Sequence, residues 1–164
     1  MDHAADINRI AHQEKSLQLP QFNLEAAWQI GTIARNIATD RKHAIAIEVR
    51  RFGHPVFVTA LDGTTPSSLD WLRRKANICQ LFNRSSYGFG LNLAFKNQTL
   101  ARHALSDRDY AVDGGAFPIA VDGTGVVGTI TISGLDQRRD HELAVETLCA
   151  YLGKNYSGLA LPPA

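Results

Sequence analysis

The apolar residues of this chain switch twice from helical spacing to strict alternation, and each alternating stretch is followed by a turn and a second one. Ile45, Ile47 and Val49 alternate with Ala46, Glu48 and Arg50, the pattern of a half-buried strand. Phe52-Gly53-His54-Pro55 makes a turn, and Val56, Val58 and Ala60 form the return strand. Further on, Phe117 to Val121 and Val126 to Ser133 flank Asp122-Gly123-Thr124-Gly125, a strong hairpin signal because Asp and Gly tolerate positive φ. Pro118 cannot donate a ladder hydrogen bond and is expected at a strand start or edge. Paired strands separated by helices point to an α/β (α+β) fold with an antiparallel sheet, not a doubly wound parallel one.

The helical stretches read as follows. An amphipathic helix is predicted from Ala4 to about Leu17, with Ile7, Ile10 and Ala11 on one side and Pro20 as the stop. Asn23 is an N-cap for a second helix with Glu25 in its first turn and Leu24, Ala27, Trp28, Gly31, Ala34 and Ala38 as its stripe. Ser67-x-x-Asp70 after Pro66 has the form of a capping box, opening a helix that carries Leu69, Leu72, Ala76 and Cys79. Asn92 to His103 is read as helix, and Asp136 caps a last helix that ends at Gly153.

At 164 residues, 45% hydrophobic and 20% charged, the chain suits one domain over residues 1–164, with residues 1–20 as an N-terminal helical extension. A formal charge of +1 gives no field to gather nucleic acid or an anionic membrane; Arg50-Arg51, Arg73-Arg74-Lys75 and Arg138-Arg139 read as solvated faces or subunit contacts. The first fifteen residues lack the apolar core of a signal peptide and no stretch is apolar enough to span a bilayer, so the expected location is cytoplasmic. Cys79 and Cys149 stand in no metal pattern and read as buried thiols.

The motifs that could carry chemistry all have plain alternatives. Gly123-x-Gly125-x-x-Gly128 has the form of a dinucleotide fingerprint but enters a strand instead of a helix; hairpin geometry accounts for it, and for Gly88-x-Gly90, better. Gly114-Gly115 lets the backbone pass close to a ligand or neighbouring subunit, or makes a tight strand entry. Asn83-Arg84-Ser85-Ser86-Tyr87 could bind an anion or serve as helix cap and turn. His141, between Asp140 and Glu142, suits a general acid or base, an axial haem ligand or a structural imidazole. Trp71 with Arg74 and Lys75 offers an aromatic and cationic wall for a planar, acidic ligand, or a partly buried Trp beside solvated bases. No histidine stands at metal-ligand spacing, and no metal is expected.

Glu14-Lys15-x-Leu17 with Phe22-Asn23, Trp71-x-x-Arg74-Lys75 with Phe82, and Ser85-Ser86-Tyr87 resemble a serial-numbered protein family within the haem-degrading-domain (GlcG/HbpS-like) superfamily. So do Tyr110-Ala111-x-x-Gly114-Gly115-Ala116-Phe117-Pro118-Ile119, Gly128-Thr129-Ile130-x-x-Ser133-Gly134-Leu135 and Asp140-His141. The resemblance covers nearly the whole chain. It implies a profilin-like three-layer α/β/α sandwich and homo-oligomers, and attaches no substrate to this branch; haem chemistry belongs to other branches.

Three functions follow as expectations. The first is an oligomeric protein that binds a small anionic or planar ligand, at Trp71, Arg74, Lys75, Ser85, Ser86, Tyr87, Gly114, Gly115 and His141. The second is a haem-binding or haem-degrading protein, with His141 as ligand and Arg74 or Lys75 meeting the propionates. The third is a protein-interaction scaffold, which needs a large apolar patch.

Overall fold

The computed structural model describes residues 3–163. Helix α1 (His3–Ser16) leads into a two-residue strand β1 (Gln18–Leu19), α2 (Leu24–Asp40), β2 (Ala46–Arg51) and β3 (His54–Ala60). Helices α3 (Ser67–Phe82) and α4 (Ser86–Phe95) follow, then β4 (Ala116–Val121), β5 (Gly125–Ser133) and α5 (Gln137–Leu152). The sheet order is β1-β4-β5-β2-β3. All neighbours are antiparallel except β1, which pairs parallel with β4. Helices α2 and α5 cover one face and α3 the other, giving the expected α/β/α sandwich.

Both hairpins form where the turn chemistry places them. Phe52 (φ 48°) and Gly53 (φ 85°) are the two central residues of a primed turn, with Arg51 opposite His54. Asn23 caps α2 through its side chain, accepting from Ala26 N at 2.8 Å, and Asp136 caps α5, accepting from Arg139 N at 3.1 Å. Ile45, Ile47, Val49, Phe117, Ile119, Ile130 and Ile132 bury against α2 and α5 as the main core.

Several details depart from expectation. Strand β2 is covered on both faces: Glu48 and Arg50 lie under α3 as an ion pair of 2.6 Å, with Arg50 also donating to Asn77 and Gln80. The alternation marked the two faces correctly but could not reveal that the polar one is also covered. The capping box at Ser67-x-x-Asp70 does not form, because Pro66 is the N-cap and Asp70 instead accepts from Arg73 and Arg74. Leu24, Trp28 and Leu69 are exposed. Helix α4 begins at Ser86 and ends at Phe95, so only the start of the Asn92 to His103 stretch is α-helix; Leu100–His103 is a short 3-10 turn. Gly88 and Gly90 sit in α4, where added Cβ atoms would meet Ile10 Cγ2 at 2.8 Å and Val112 O at 2.5 Å.

The N-terminal segment is built into the body. On α1 the inward face is Asp6, Ile10 and Gln13, followed by Leu17, while Ala11 is exposed. Arg9 donates to Gly158 O and Gln13 Nε2 to Leu159 O, both at 2.8 Å, while Arg138 reaches Asp6 and Pro162 O. The helix thus packs on α4, α5 and the C-terminal segment of the same chain.

Candidate functional site

Lys75 occupies the inward stripe of α3 beside Leu72, Ala76 and Cys79. A buried ammonium needs a partner, since desolvation of an unpaired charge costs several kcal/mol. Its Nζ donates to Asp140 Oδ2 at 2.9 Å and to Ile132 O at 3.2 Å. The carboxylate of Asp140 is held in turn by backbone donors, Leu135 N to Oδ1 at 3.0 Å and Gly134 N to Oδ2 at 3.3 Å. Burial lifts the Asp140 carboxyl above its ordinary range, against the lowering pull of the Lys75 ammonium and those two N–H groups.

Gly114 and Gly115 make this arrangement possible. Gly115 (φ 137°) lies so close that a Cβ would stand 2.1 Å from Ile132 O and 3.0 Å from Lys75 Nζ. At Gly114 a Cβ would stand 2.0 Å from Gln137 O. The glycine pair is thus a tight entry into β4, and what it approaches closely is this chain's own backbone.

The pair is not sealed in. It forms part of the wall of a cleft of about 330 Å³. Ser67, Ser68 and Trp71 of α3 line one side, Ser133, Gly134 and Leu135 the end of β5, and Gln137 and Asp113 the remainder. Arg74 does not line the cleft; its guanidinium lies 4.0 Å from the centroid of the Trp71 ring and donates to Asp70 at 2.9 Å. Among the described residues the first turn of α3 has no side-chain cap, so its N–H groups and the positive end of the helix dipole favour a negative group there. Hydroxyls, an amide, an ammonium and an indole together can hold a small polar molecule.

The other predicted residues lie elsewhere, in the junction of α1, α4 and α5. Ser85 caps α4 by accepting from Gly88 N at 3.2 Å and donates to Glu14 Oε1 at 2.8 Å. Ser86 Oγ accepts from Ala116 N at 3.1 Å. Tyr87 packs against His141, ring centroids 5.3 Å apart. His141 is fully buried, its Nε2 2.8 Å from Gln13 Oε1. The Gln13 amide is oriented by donating through Nε2 to Leu159 O at 2.8 Å and to Glu142 at 3.2 Å. Its oxygen therefore accepts, which puts the imidazole proton on Nε2 and leaves Nδ1 bare and, among the described residues, without a partner. Burial, helped by the Arg138 charge, lowers the His141 pKa to about 3, so the ring is neutral.

The structure therefore joins Trp71 and Lys75 at the cleft, with Gly115 packed against Lys75 Nζ and Arg74 against the Trp71 ring. It does not bring Ser85, Ser86, Tyr87 or His141 there. Asp140, Asp113, Ser67, Ser68, Ser133 and Gln137 are cleft residues that the sequence reading did not select. Only Asp140 left a signal: a lysine on the apolar stripe of α3 requires a buried acid somewhere.

A second cleft, about 530 Å³ and mostly apolar, lies between α4 and the segment 98–112. Leu93, Leu100, Leu105 and Val112 supply its apolar surface, with Gln98 and Asp107 among its polar groups. Among the described residues no helix is long and apolar enough to cross a membrane.

A family model described as haem degrading protein HbpS-like matches residues 22–149. The chain belongs to the HbpS-like family. Within that family it is similar along its whole length to proteins designated UPF0303. The UPF0303 protein of Burkholderia mallei strain NCTC 10229 is 54% identical over 162 residues, covering 98% of each chain. That of Paraburkholderia phymatum is 52% identical over 165 residues and covers both chains fully. Among solved structures, Ybr137w matches with a TM-score of 0.83 and 27% identity, over 90% of this chain and 87% of its own. A PduOC:heme complex matches with a TM-score of 0.67 and 16% identity, over 79% of this chain and 94% of the other, a likeness of fold. The HbpS-like match spans the cleft residues Ser67 to Asp140 and leaves α1 outside it.

Proposed function

We propose that this HbpS-like protein binds a small polar ligand with an anionic end, in the cleft above Lys75 and Asp140. The observation that carries the reading is that a buried ion pair joining two helical layers opens onto a cleft beside Trp71. The uncapped start of α3, with the Ser67 and Ser68 hydroxyls, receives the anionic end. Asp113 accepts a hydrogen-bond donor, and the indole of Trp71 contacts a flat or apolar part. Homo-oligomeric assembly and a cytoplasmic location belong to the same reading. The test is a thermal-shift screen of small carboxylates and phosphate esters, with responders repeated on Trp71→Ala and Ser68→Ala. A responder weakened in both variants supports the cleft; responders indifferent to both exclude it.

Haem binding is the second reading, supported by the family description and by the larger apolar cleft. His141 does not fit an axial ligand: Nε2–H is engaged by Gln13 and the bare Nδ1 is enclosed beside Tyr87 and Phe117. In this reading the porphyrin lies on Leu93, Leu100, Leu105 and Val112. The exposed His103, edge-on to Phe82 and tilted against Phe89 two residues beyond Ala101, is the imidazole that would serve. A saturable Soret shift lost in His103→Ala would support it, and an unchanged spectrum on adding haem would end it.

A further inference from the structure

Strand β3 is the last in the sheet order, so its outer edge has no strand partner among the described residues. Exposed edges are usually protected by charge, proline or a bulge, because their free N–H and C=O groups template pairing with another chain. Here the protection is confined to one end. Pro55 and the irregularity opposite Val49 and Arg50 lie near the start of β3, while Phe57-Val58-Thr59-Ala60 carries no charged residue.

Both faces of that edge expose apolar side chains. Helix α3 packs chiefly on β5, β4 and β2, and Val58, opposite Glu48, is 51% exposed. On the other face Trp28 is 61% exposed, its ring edge-on to Phe57 at 5.6 Å, and Leu24 is 55% exposed. An occupant must therefore offer an extended backbone flanked by apolar groups on each side.

The charges beside the edge indicate what that occupant is. Helix α2 runs alongside β3 in the same direction: Trp28 and Gly31 meet Phe57, and Arg35 and Thr39 share a cleft with Ala60 and Leu61. Glu25, Trp28, Thr32 and Arg35 recur at three and four residue steps, one helical face. A two-fold axis perpendicular to the sheet, through Phe57 and Val58, sets a second α2 antiparallel to the first on the same side. Ile30, between the Trp28 and Gly31 that meet Phe57, lies midway between Glu25 and Arg35, about 8 Å from each along the helix. Each Glu25 then faces the Arg35 of the other copy. Opposite charges placed symmetrically about one point are what a self-complementary contact requires. Among the described residues neither is committed elsewhere: Glu25 accepts from exposed Gln29 at 2.9 Å alone, and the Arg35 guanidinium makes no hydrogen bond.

We propose that the β3 edge and the Glu25–Arg35 face of α2 form an isologous interface with a second copy of this chain, making one sheet continuous through both. This names a surface for the assembly expected above and is independent of what the Lys75–Asp140 cleft binds.

Light scattering coupled to size exclusion tests it on the full chain, with circular dichroism to confirm folding. The variants are Val58→Lys, Trp28→Glu, the single reversals Glu25→Arg and Arg35→Glu, and the double reversal. Val58→Lys and Trp28→Glu should each halve the mass of the assembly while leaving the spectrum unchanged. Each single reversal should weaken association about two- to tenfold, as expected for exposed ion pairs, and the double reversal should restore it. A wild-type monomer at tens of micromolar would overturn the interface. So would an assembly whose mass survives both Val58→Lys and Trp28→Glu, which would place the contact on another surface. Single reversals that the double reversal does not rescue would overturn the Glu25–Arg35 pairing.

Discussion

Lys75 on α3 and Asp140 on α5 belong to opposite layers of the sandwich, yet meet at 2.9 Å around the end of β5. Two features bring them together. Lys75 Nζ reaches past the sheet to the carbonyl of Ile132, and the Gly134-Leu135 turn donates both of its N–H groups to Asp140. Removing either charge leaves the other buried without compensation. Lys75→Met and Asp140→Asn should each destabilise the protein by about 3–5 kcal/mol in urea unfolding, and the double variant by clearly less than the sum. Additive losses would mean that the two charges are not coupled.

The glycines separate close approach from turn geometry. Gly115 and Gly123 both have positive φ, but a Cβ at Gly115 would stand 2.1 Å from Ile132 O while one at Gly123 meets nothing within 4 Å. Gly123→Ala should therefore cost about 1 kcal/mol, the left-handed backbone penalty alone. Gly115→Ala should cost several times more and displace Lys75. Equal midpoints for the two variants in denaturant would contradict this.

His141 makes stability depend on pH with a defined sign. Its imidazole has an ordinary pKa of 6.5, and about 3 when folded. Between those values the unfolded chain binds the extra proton, so stability falls as pH drops from about 6.5 toward 3. The slope approaches about 1.4 kcal/mol per pH unit. Asp140, lifted by burial, takes up its proton earlier in the folded state and offsets part of this at the acid end. Urea unfolding at pH 7 and pH 5 should show the loss in wild type and a smaller one in His141→Gln.

The same burial separates His141 from any haem chemistry. If the protein binds haem, His141→Ala should leave the Soret maximum unchanged, provided that the variant folds. A maximum that moves with this substitution alone, and not with His103→Ala, would place the iron at His141.

The hairpins, the α2 cap, the α5 cap and the antiparallel sheet were legible because each rests on local chemistry: turn residues with positive φ, side-chain oxygens at helix starts, a change of period. What sequence could not convey is where separate elements meet. Nothing near Lys75 identifies Asp140, 65 residues away, as its partner. Nothing near His141 shows that α1 will fold over it and engage its Nε2 through Gln13. The blocks Ser85-Ser86-Tyr87 and Asp140-His141 read as one group of polar residues. They divide between a helix junction and a cleft, because adjacent residues on α5 point in different directions: Asp140 lines the cleft and His141 lies inside the core.

The most direct test of the cleft as a ligand site follows the two tryptophan indole N–H signals by NMR during titration with a compound from the thermal-shift screen. Trp28→Phe assigns the signals. A saturable shift of Trp71, the cleft residue, is expected, with Trp28 unmoved. Responders that shift only Trp28, or leave both signals unmoved at saturation, would contradict it.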